Sequence, residues 1–562
     1  MEYFLYSLLA LVAIFFIVII ARTLAFKPKK SVLPTQSDTD FDADRASECL
    51  RELVKFKTIS YRDPSLEDEA EFEGLIGALP SLYPHVFEKC EFLRLPNRAL
   101  LFKWSGGADR QPNSDNMQLK STLHSPSNSL HSDIEPPRAD SDIVNQENDL
   151  HSALRTPNSA LDDSHTASGG VPGPNSEFDD NHSALRTPNS ALEAVVLMAH
   201  YDVVPVSESD WEKPPFDGII ENGELWGRGT LDTKVTMNAS LFAVDTLIAR
   251  GYTPKRDIYL AYSGNEEING EGAPTVIKYF EENGIKIGLV LDEGGAVCEN
   301  VFPGVKAPCG MIGIAEKGML DLEYKIKSNG GHASSPKPRS TVGYLADACH
   351  EVETHPFKMK MSDPVSRMFN TLGRHSTFLY RMIFSNWWAF GWVVNLLGKK
   401  SGGELNALIR TTVAFTQMKG SSASNVMPPE ASMVSNIRLN PNDTVEGAVE
   451  QIRKTVKNDS IELNVLHGVN PSRISRVDCD EYRAVENAVA STWKGAIVTP
   501  YLMVQCSDSR HYGRISDKVY RFSAMDMTLA ERRSVHGNNE KIRLSSIAKS
   551  CEFYLNLIQN IK

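Results

Sequence analysis

His200-Tyr-Asp202 closes an apolar run, Ala194-Val-Val-Leu-Met-Ala199. Residues two apart on a strand point to the same side, so an imidazole and a carboxylate leave the end of a buried strand together. One can bind a metal while the other orients or tunes it. Acidic residues stand at the ends of the apolar runs that follow. Asp232 lies in Gly227-Arg-Gly-Thr-Leu-Asp-Thr-Lys234, Glu266 and Glu267 in Gly264-Asn-Glu-Glu-Ile268, and Asp292 and Glu293 in Leu291-Asp-Glu-Gly-Gly295. His536, in Val535-His-Gly-Asn-Asn-Glu540, adds a second imidazole. Taken singly, each has an ordinary explanation: an acidic pair is usually a solvated turn, and a histidine in a polar loop is usually a surface residue. Their joint placement at successive predicted strand ends is what points to a site. A mixed set of imidazoles and carboxylates suits Zn2+ or a similar divalent ion, and can hold a pair. Paired ions typically lie about 3.5–4 Å apart and activate water for attack on a carbonyl.

The elements that must position these residues alternate. Predicted strands Ala194–Ala199, Asp257–Ser263 and Ile287–Leu291 are separated by helices Met237–Arg250 and Thr275–Glu282, with Gly251 and Gly284 as stops. This βαβ rhythm predicts an α/β fold, a mostly parallel sheet with flanking helices. Ligands gather at the carboxyl ends of such strands, where the acidic clusters fall. From about Gly318 the pattern changes. Asp321–Lys327 and Ala431–Leu439 alternate as half-exposed strands do, Thr444–Lys454 reads as a helix and Ile461–Leu466 as a strand. Residues 318–471 are therefore expected to form a smaller α+β domain, inserted between catalytic segments 32–106 plus 193–317 and 472–562.

Residues 107–192 are rich in Ser, Asn, Asp, Pro and His, and His151–Leu161 recurs without change as His182–Leu192. Two short copies make no solenoid. Such a segment buries too little apolar area to offset its ordering entropy, so disorder is expected. It reads as a surface insertion between two strands expected to be neighbours, Ala99–Trp104 and Ala194–Ala199.

The formal net charge of the 562-residue chain is -12, which argues against a nucleic-acid partner. Its eight cysteines are scattered with no CxxC, so neither a disulfide framework nor a zinc ribbon is indicated. Residues 1–31 form a membrane anchor or signal segment. Tyr3–Ala21 carries no charge and, at about 1.5 Å per residue, can cross a bilayer core of roughly 30 Å. Glu2 and Thr23-Leu24-Ala25 suit cleavage poorly, so an uncleaved single-pass anchor is expected, and a secreted chain if it is removed. Arg22, Lys27, Lys29 and Lys30 by themselves place the body on the cytoplasmic side. A second apolar run, Met382–Leu397, is too short and too polar for a confident span. It is expected to pack on the smaller domain or to line an acyl pocket.

The motifs carry a resemblance. His200-Tyr-Asp-Val-Val-Pro-Val206, Trp226–Lys234, Ser263-Gly-Asn-Glu-Glu267 and Gly331-His-Ala-Ser-Ser-Pro336 are similar to those of the di-zinc metallopeptidase family that holds acetylornithine deacetylase, succinyl-diaminopimelate desuccinylase, aminoacylase-1 and carboxypeptidase S. Val290–Gly295, Asn406–Phe415, Asp508-Ser-Arg-His-Tyr512, Tyr520-Arg-Phe522 and His536–Lys541 resemble the N-fatty-acyl-amino acid synthase/hydrolase branch more closely, near carboxypeptidase S. The likeness covers about 45–106 and 193–562.

The resemblance implies two Zn2+ per chain. His200 and Asp292 would bind one, Glu267 and His536 the other, and Asp232 would bridge; between Asp292 and Glu293, Asp292 is preferred. Asp202 would hydrogen-bond His200, and Glu266 would be the general base. His332 would polarise the scissile carbonyl, often across a homodimer interface, Arg438 would hold the substrate carboxylate, and Asn425 would add a polar contact nearby. The implied activity is hydrolysis, in either direction, of the amide bond of N-acyl amino acids, with a fatty acyl group expected. A carboxypeptidase acting on small peptides and an inactive relative serving as a scaffold are the alternatives. The resemblance also implies a secretory or endomembrane route with a lumenal or extracellular body, against the flanking charges. Two departures stand out. Asp232-Thr-Lys replaces the usual Asp-Asp-Lys or Asp-Met-Lys, and Asn265-Glu-Glu replaces Asp-Glu-Glu.

Overall fold

The computed structural model describes residues 2–28, 37–107 and 192–561. The duplicated segment expected to be disordered lies outside the described residues. The main sheet contains β1 (Glu91–Leu95), β2 (Ala99–Trp104), β3 (Ala194–His200), β6 (Ile258–Ser263), β7 (Ile287–Cys298), β8 (Cys309–Glu316), β15 (Ile497–Met503) and β16 (Val519–Met527). Their order is β1-β2-β6-β3-β7-β16-β8-β15. The run from β6 through β3 and β7 to β16 is parallel, and β8 pairs parallel with β15. β3, β6 and β8 are buried along their whole length, as strands covered on both faces must be. Val195, Leu197 and Ala199 face a core built with helices Lys234–Ala249, Asp480–Thr492 and Leu544–Asn560. Val196 and Met198 face the opposite layer, with helix Gly272–Glu282. The fold is thus α/β with a mostly parallel sheet. One expected pairing is corrected: β2 and β3 are not neighbours. β6 lies between them, antiparallel to β2 and parallel to β3, because the β3–helix–β6 crossover returns beside its own first strand.

β7 continues well past the predicted end at Leu291. Asp292 pairs with Arg521, and the next pair joins Gly295 to Phe522, so Glu293 and Gly294 form a bulge on β7. Gly294 takes φ +143°, and a Cβ on Gly295 would fall 1.7 Å from the Met311 carbonyl oxygen. Glycine is required at both positions. A bulge re-aims side chains, and here it decides which of two acidic neighbours faces β3.

A second, antiparallel sheet has the order β11-β13-β9-β14: Thr412–Lys419, Glu430–Leu439, Gly318–Lys327 and Glu462–Val469. Burial alternates along β9 and β13, and the inner face packs on helices Thr341–Thr354 and Val445–Val456. A ribbon of β10 (Gly331–His332) and β12 (Val426–Met427) lies alongside in sequence, and β4 (Ile219–Glu221), β5 (Glu224–Trp226) and β17 (Lys541–Arg543) form a third small sheet. The apolar run Met382–Leu397 does not join the second sheet's core. It folds into helices Phe378–Ser385 and Trp387–Ser401, whose inner residues Ile383, Phe384, Trp387 and Val394 pack with Met311 on β8 and Tyr501–Met503 on β15.

Arg521 on β16 and Glu316 at the end of β8 pin two adjacent strands next to the β15 edge of the sheet. Both are buried, and Arg521 Nε donates to Glu316 Oε1 at 2.5 Å. Glu316 also accepts from the Ser507 amide and from the Ser507 and Ser509 hydroxyls. Removing one partner leaves the other charge buried without compensation, which costs about 3–5 kcal/mol. Glu316→Ala should therefore lose about that much in urea unfolding of the full chain. A loss no larger than that of an exposed pair, about 1 kcal/mol or less, would contradict this reading.

Candidate metal centre

Five segments deliver six side chains to one region. β3 ends at His200, and Asp232 precedes helix Lys234–Ala249. Glu266 and Glu267 follow β6, Glu293 sits on the β7 bulge, and His536 occupies the loop before β17 in the left-handed region at φ 60°. His200 Nε2 lies 3.0 Å from Asp232 Oδ1 and 3.5 Å from Glu293 Oε1. His536 Nε2 lies 3.0 Å from Asp232 Oδ2 and 3.2 Å from Glu267 Oε1. Two trios result, His200–Asp232–Glu293 and Asp232–Glu267–His536, each with its ligand atoms within 4.8 Å of one another. Asp232 belongs to both and offers one oxygen to each. Glu267 Oε1 is buried without a hydrogen-bond partner of good geometry. One imidazole and two carboxylates per trio, with a shared carboxylate, is a donor set suited to a pair of divalent ions.

Asp202 is fully buried and organises both ends of this arrangement. His200 Nδ1 lies 2.9 Å from its carbonyl oxygen and 3.4 Å from its Oδ1. With Nδ1 donating there, a neutral His200 would turn its Nε2 lone pair to an ion on the Asp232 side. The Asp202 carboxylate accepts from the amides of Glu266 at 3.1 Å and Glu267 at 3.2 Å, and from the Ser60 hydroxyl at 2.7 Å. The acidic dipeptide is thus held by the residue that holds the histidine.

Burial and then charge crowding set the electrostatics. Burial pushes Glu266 well above the usual carboxylate range, and Asp508, Glu293 and Glu267 add to the rise against the opposing His200. Burial and Asp232 do the same to Glu293. Asp232 goes the other way: burial would raise it, but hydrogen bonds from His200 and His536 hold it well below the carboxylate range. His536 is raised to about 10 by hydrogen bonding to Asp232 and Glu267. Burial opposes a charged His200, yet Glu293 and the hydrogen bonds to Asp202 and Asp232 raise it well above 6.5. A divalent cation would take over the role of the protons these groups share.

Asp292, the preferred ligand of the two acidic neighbours, lies outside both trios. It is buried with Oδ2 accepting from the Ser509 amide at 2.9 Å, and it is not one of the residues brought together; Glu293 is. Alternation along a strand cannot choose between two acidic neighbours, and the bulge chooses. His332 and Asn425 meet on the exposed β10–β12 ribbon, where the Ala333 amide donates to the Asn425 carbonyl. His332 Nδ1 lies 2.8 Å from Ser334 Oγ. Among the described residues, no hydrogen bond or ion pair joins these two to the metal trios. Arg438, on β13, reaches from the second sheet to the Cys506 thiol, two residues before Asp508. Asn265 Oδ1 accepts from the Ser263 hydroxyl and the Gly272 amide, as an aspartate could, and its Nδ2 donates to the Asn97 carbonyl, as an aspartate could not. Thr233 bonds to Thr236 in the first turn of its helix.

Sequence reasoning missed three positioning residues, although all lie inside the quoted motifs. Glu540 accepts from the Leu231 amide at 2.7 Å and pairs with Arg228 at 2.5 Å, both buried. Arg228 also donates to the Gly537 carbonyl. The pair therefore ties the Asp232 loop to the His536 loop. Buried Lys234 donates to the carbonyls of Leu53 and Phe56, fixing the same loop from its other side. A motif marks such residues without saying what they touch.

The profile of peptidase family M20/M25/M40 matches residues 196–560. The chain belongs to that family. It is 33% identical over 370 residues to the N-fatty-acyl-amino acid synthase/hydrolase PM20D1 of Mus musculus, covering 65% of this chain and 73% of the relative. It is 32% identical over 372 residues to the probable carboxypeptidase S-like 2 of Dictyostelium discoideum, covering 65% and 71%. Among solved structures, the M20 metallo-carboxypeptidase Sso-CP2 of Sulfolobus solfataricus superposes with a TM-score of 0.57 at 15% identity, covering 92% of this chain and 98% of that one. Human carnosine dipeptidase 1 gives 0.55 at 13% identity, covering 92% and 96%. At those identities the two structures share the fold. Membership in a peptidase family makes the M20 chain an amide-bond hydrolase. Within it, Glu540→Gln should leave Arg228 without its counter-charge and loosen both loops. Competition with a chromophoric chelator should show metal held about 10–100-fold more weakly; unchanged retention would remove Glu540 from this role.

Proposed function

We propose that this M20 chain hydrolyses the amide bond of N-acyl amino acids bearing a free carboxylate, fatty-acyl ones foremost, with two Zn2+ per chain. The observation that carries the proposal is Asp232, which gives one oxygen to each of two histidine–carboxylate trios. His200 and Glu293 hold one ion, and Glu267 and His536 the other. When bound, the ions polarise the amide carbonyl and make water acidic enough to attack near neutral pH. Glu266, half-buried beside Glu267, is the only one of the pair outside both trios. It takes the proton from the attacking water and returns it to the leaving amine. Asp202 keeps Glu266 in reach through its amide and fixes the tautomer of His200. Arg438, near the Cys506–Asp508 loop, holds the substrate carboxylate with its planar fork. His332, on an exposed ribbon, serves the substrate carbonyl across a homodimer contact, and Asn425 adds a polar contact near the substrate carboxylate.

A second reading, release of carboxy-terminal residues from small peptides, is favoured by the comparable identity to the carboxypeptidase S-like relative. The N-terminal helix Tyr3–Ala25 is long and apolar enough to cross a membrane, and we propose that it anchors the body on the lumenal or extracellular side.

Turnover of oleoyl-phenylalanine and of blocked dipeptides, with and without a chelator, separates the two substrate readings. The account expects chelator-sensitive release of amino acid, faster from the oleoyl substrate. Glu266→Gln should lower kcat by about 10²–10⁴-fold with metal content unchanged. Full activity in that variant would refute its assigned role.

A further inference from the structure

Helices Phe378–Ser385 and Trp387–Ser401 take no part in the metal centre, and their junction is docked on the N-terminal helix, Glu2–Ala25. Arg22 donates Nε and Nη2 to the Ser385 carbonyl at 3.3 and 3.1 Å. Asn386 Nδ2 donates to the Ile19 carbonyl and to Thr23 Oγ1, each at 3.2 Å, and Thr23 Oγ1 lies 3.3 Å from Ser385 Oγ. Ile19, Thr23 and Asn386 are buried by this contact, while the helix from Tyr3 to Leu11 is exposed. A buried polar cluster of this kind specifies one way of pairing helices. A segment destined only for removal has no need of it.

Past the polar cluster the contact is apolar and runs toward the free end of the N-terminal helix. Phe15 meets Trp388 edge to face, with ring centroids 5.6 Å apart. Phe15 lies seven residues before Arg22, or about 10 Å along the helix. If the charge-free stretch Tyr3–Ala21 crosses a hydrocarbon core of roughly 30 Å, Trp388 sits about a third of the way into it. The same face of helix Trp387–Ser401 continues past this contact. Trp388, Trp392 and Leu396 recur every fourth residue and are 59%, 66% and 56% exposed, and Leu397 is 51% exposed. Exposed Lys399 and Lys400 close the helix. Tryptophans on an apolar stripe that ends in lysines suit the boundary of a bilayer.

We infer that the N-terminal helix is retained and forms one membrane-embedded unit with helices Phe378–Ser385 and Trp387–Ser401, with lipid acyl chains covering Trp388, Trp392, Leu396 and Leu397. A half-exposed ion pair links the helix that follows to the helix before the His536 loop. Glu404, in the next helix, pairs with Arg532 at 3.2 Å, four residues before His536. The inference does not depend on which amide is hydrolysed, and turnover plays no part in its test.

The chain has seven tryptophans and none in the N-terminal helix, so tryptophan emission reports on the body alone. Full-length protein would be reconstituted in phosphatidylcholine vesicles with brominated or plain acyl chains. Bromine should quench part of the emission, and the conservative, exposed double variant W388F/W392F should lose that quenched part. Equal emission in both vesicles, or quenching unchanged in the double variant, would overturn the inference. A dimer seated on this face, with both tryptophans shielded from bromine, would overturn it too. The intact mass of the mature chain should include residues 3–25; a chain beginning after Ala25 would refute retention.

Discussion

Everything around the centre answers one electrostatic demand. Asp232, Glu266, Glu267 and Glu293, with buried Asp202 behind them, converge around the imidazoles of His200 and His536. Such a set is stable either by sharing protons or by sharing cations. Without cations, burial and like charge drive Glu266 and Glu293 up, while hydrogen bonds from two histidines hold Asp232 down. The proposed pair of zinc ions supplies the second. On this view the buried hydrogen bonds nearby serve to keep mutually repelling groups in place. Asp202 binds His200 and the Glu266–Glu267 amides together, and Glu540 with Arg228 joins the Asp232 and His536 loops. The two loops come from sequence far apart, so no local preference could align them.

Much of this was legible in the residues. Periodicity gave the parallel βαβ core, because strands buried on both faces read as apolar runs and their helices as repeats of three and four. The change to alternating residues near Gly318 marked a second sheet with one exposed face. The motifs placed His200, Asp232, Glu267 and His536 where the trios use them. Three features were not legible. Asp292 and Glu293 differ only in which way a bulge turns them, and the bulge depends on Gly295 meeting the Met311 carbonyl across the sheet. The position of β6 between β2 and β3 depends on a crossover rather than on order along the chain. Glu540 and Arg228 look like ordinary charged residues until burial pairs them.

The apolar run Met382–Leu397 shows the same limit from another side. Hydropathy marks it as apolar but does not say what covers it. The fold uses its inner face against β8 and β15, beside the sheet edge, and leaves the outer face beside the N-terminal helix. A fatty substrate would reach an enzyme seated in this way by lateral diffusion in the bilayer.

The central claim is that Asp232 serves two metal ions at once. Metal content by mass spectrometry, on gently purified wild-type chain and on Asp232→Asn, tests it most directly. The account predicts two ions per wild-type chain and close to none in the variant, since each trio loses its shared carboxylate. A variant that keeps one ion per chain, or a wild-type chain that never holds more than one, would contradict it.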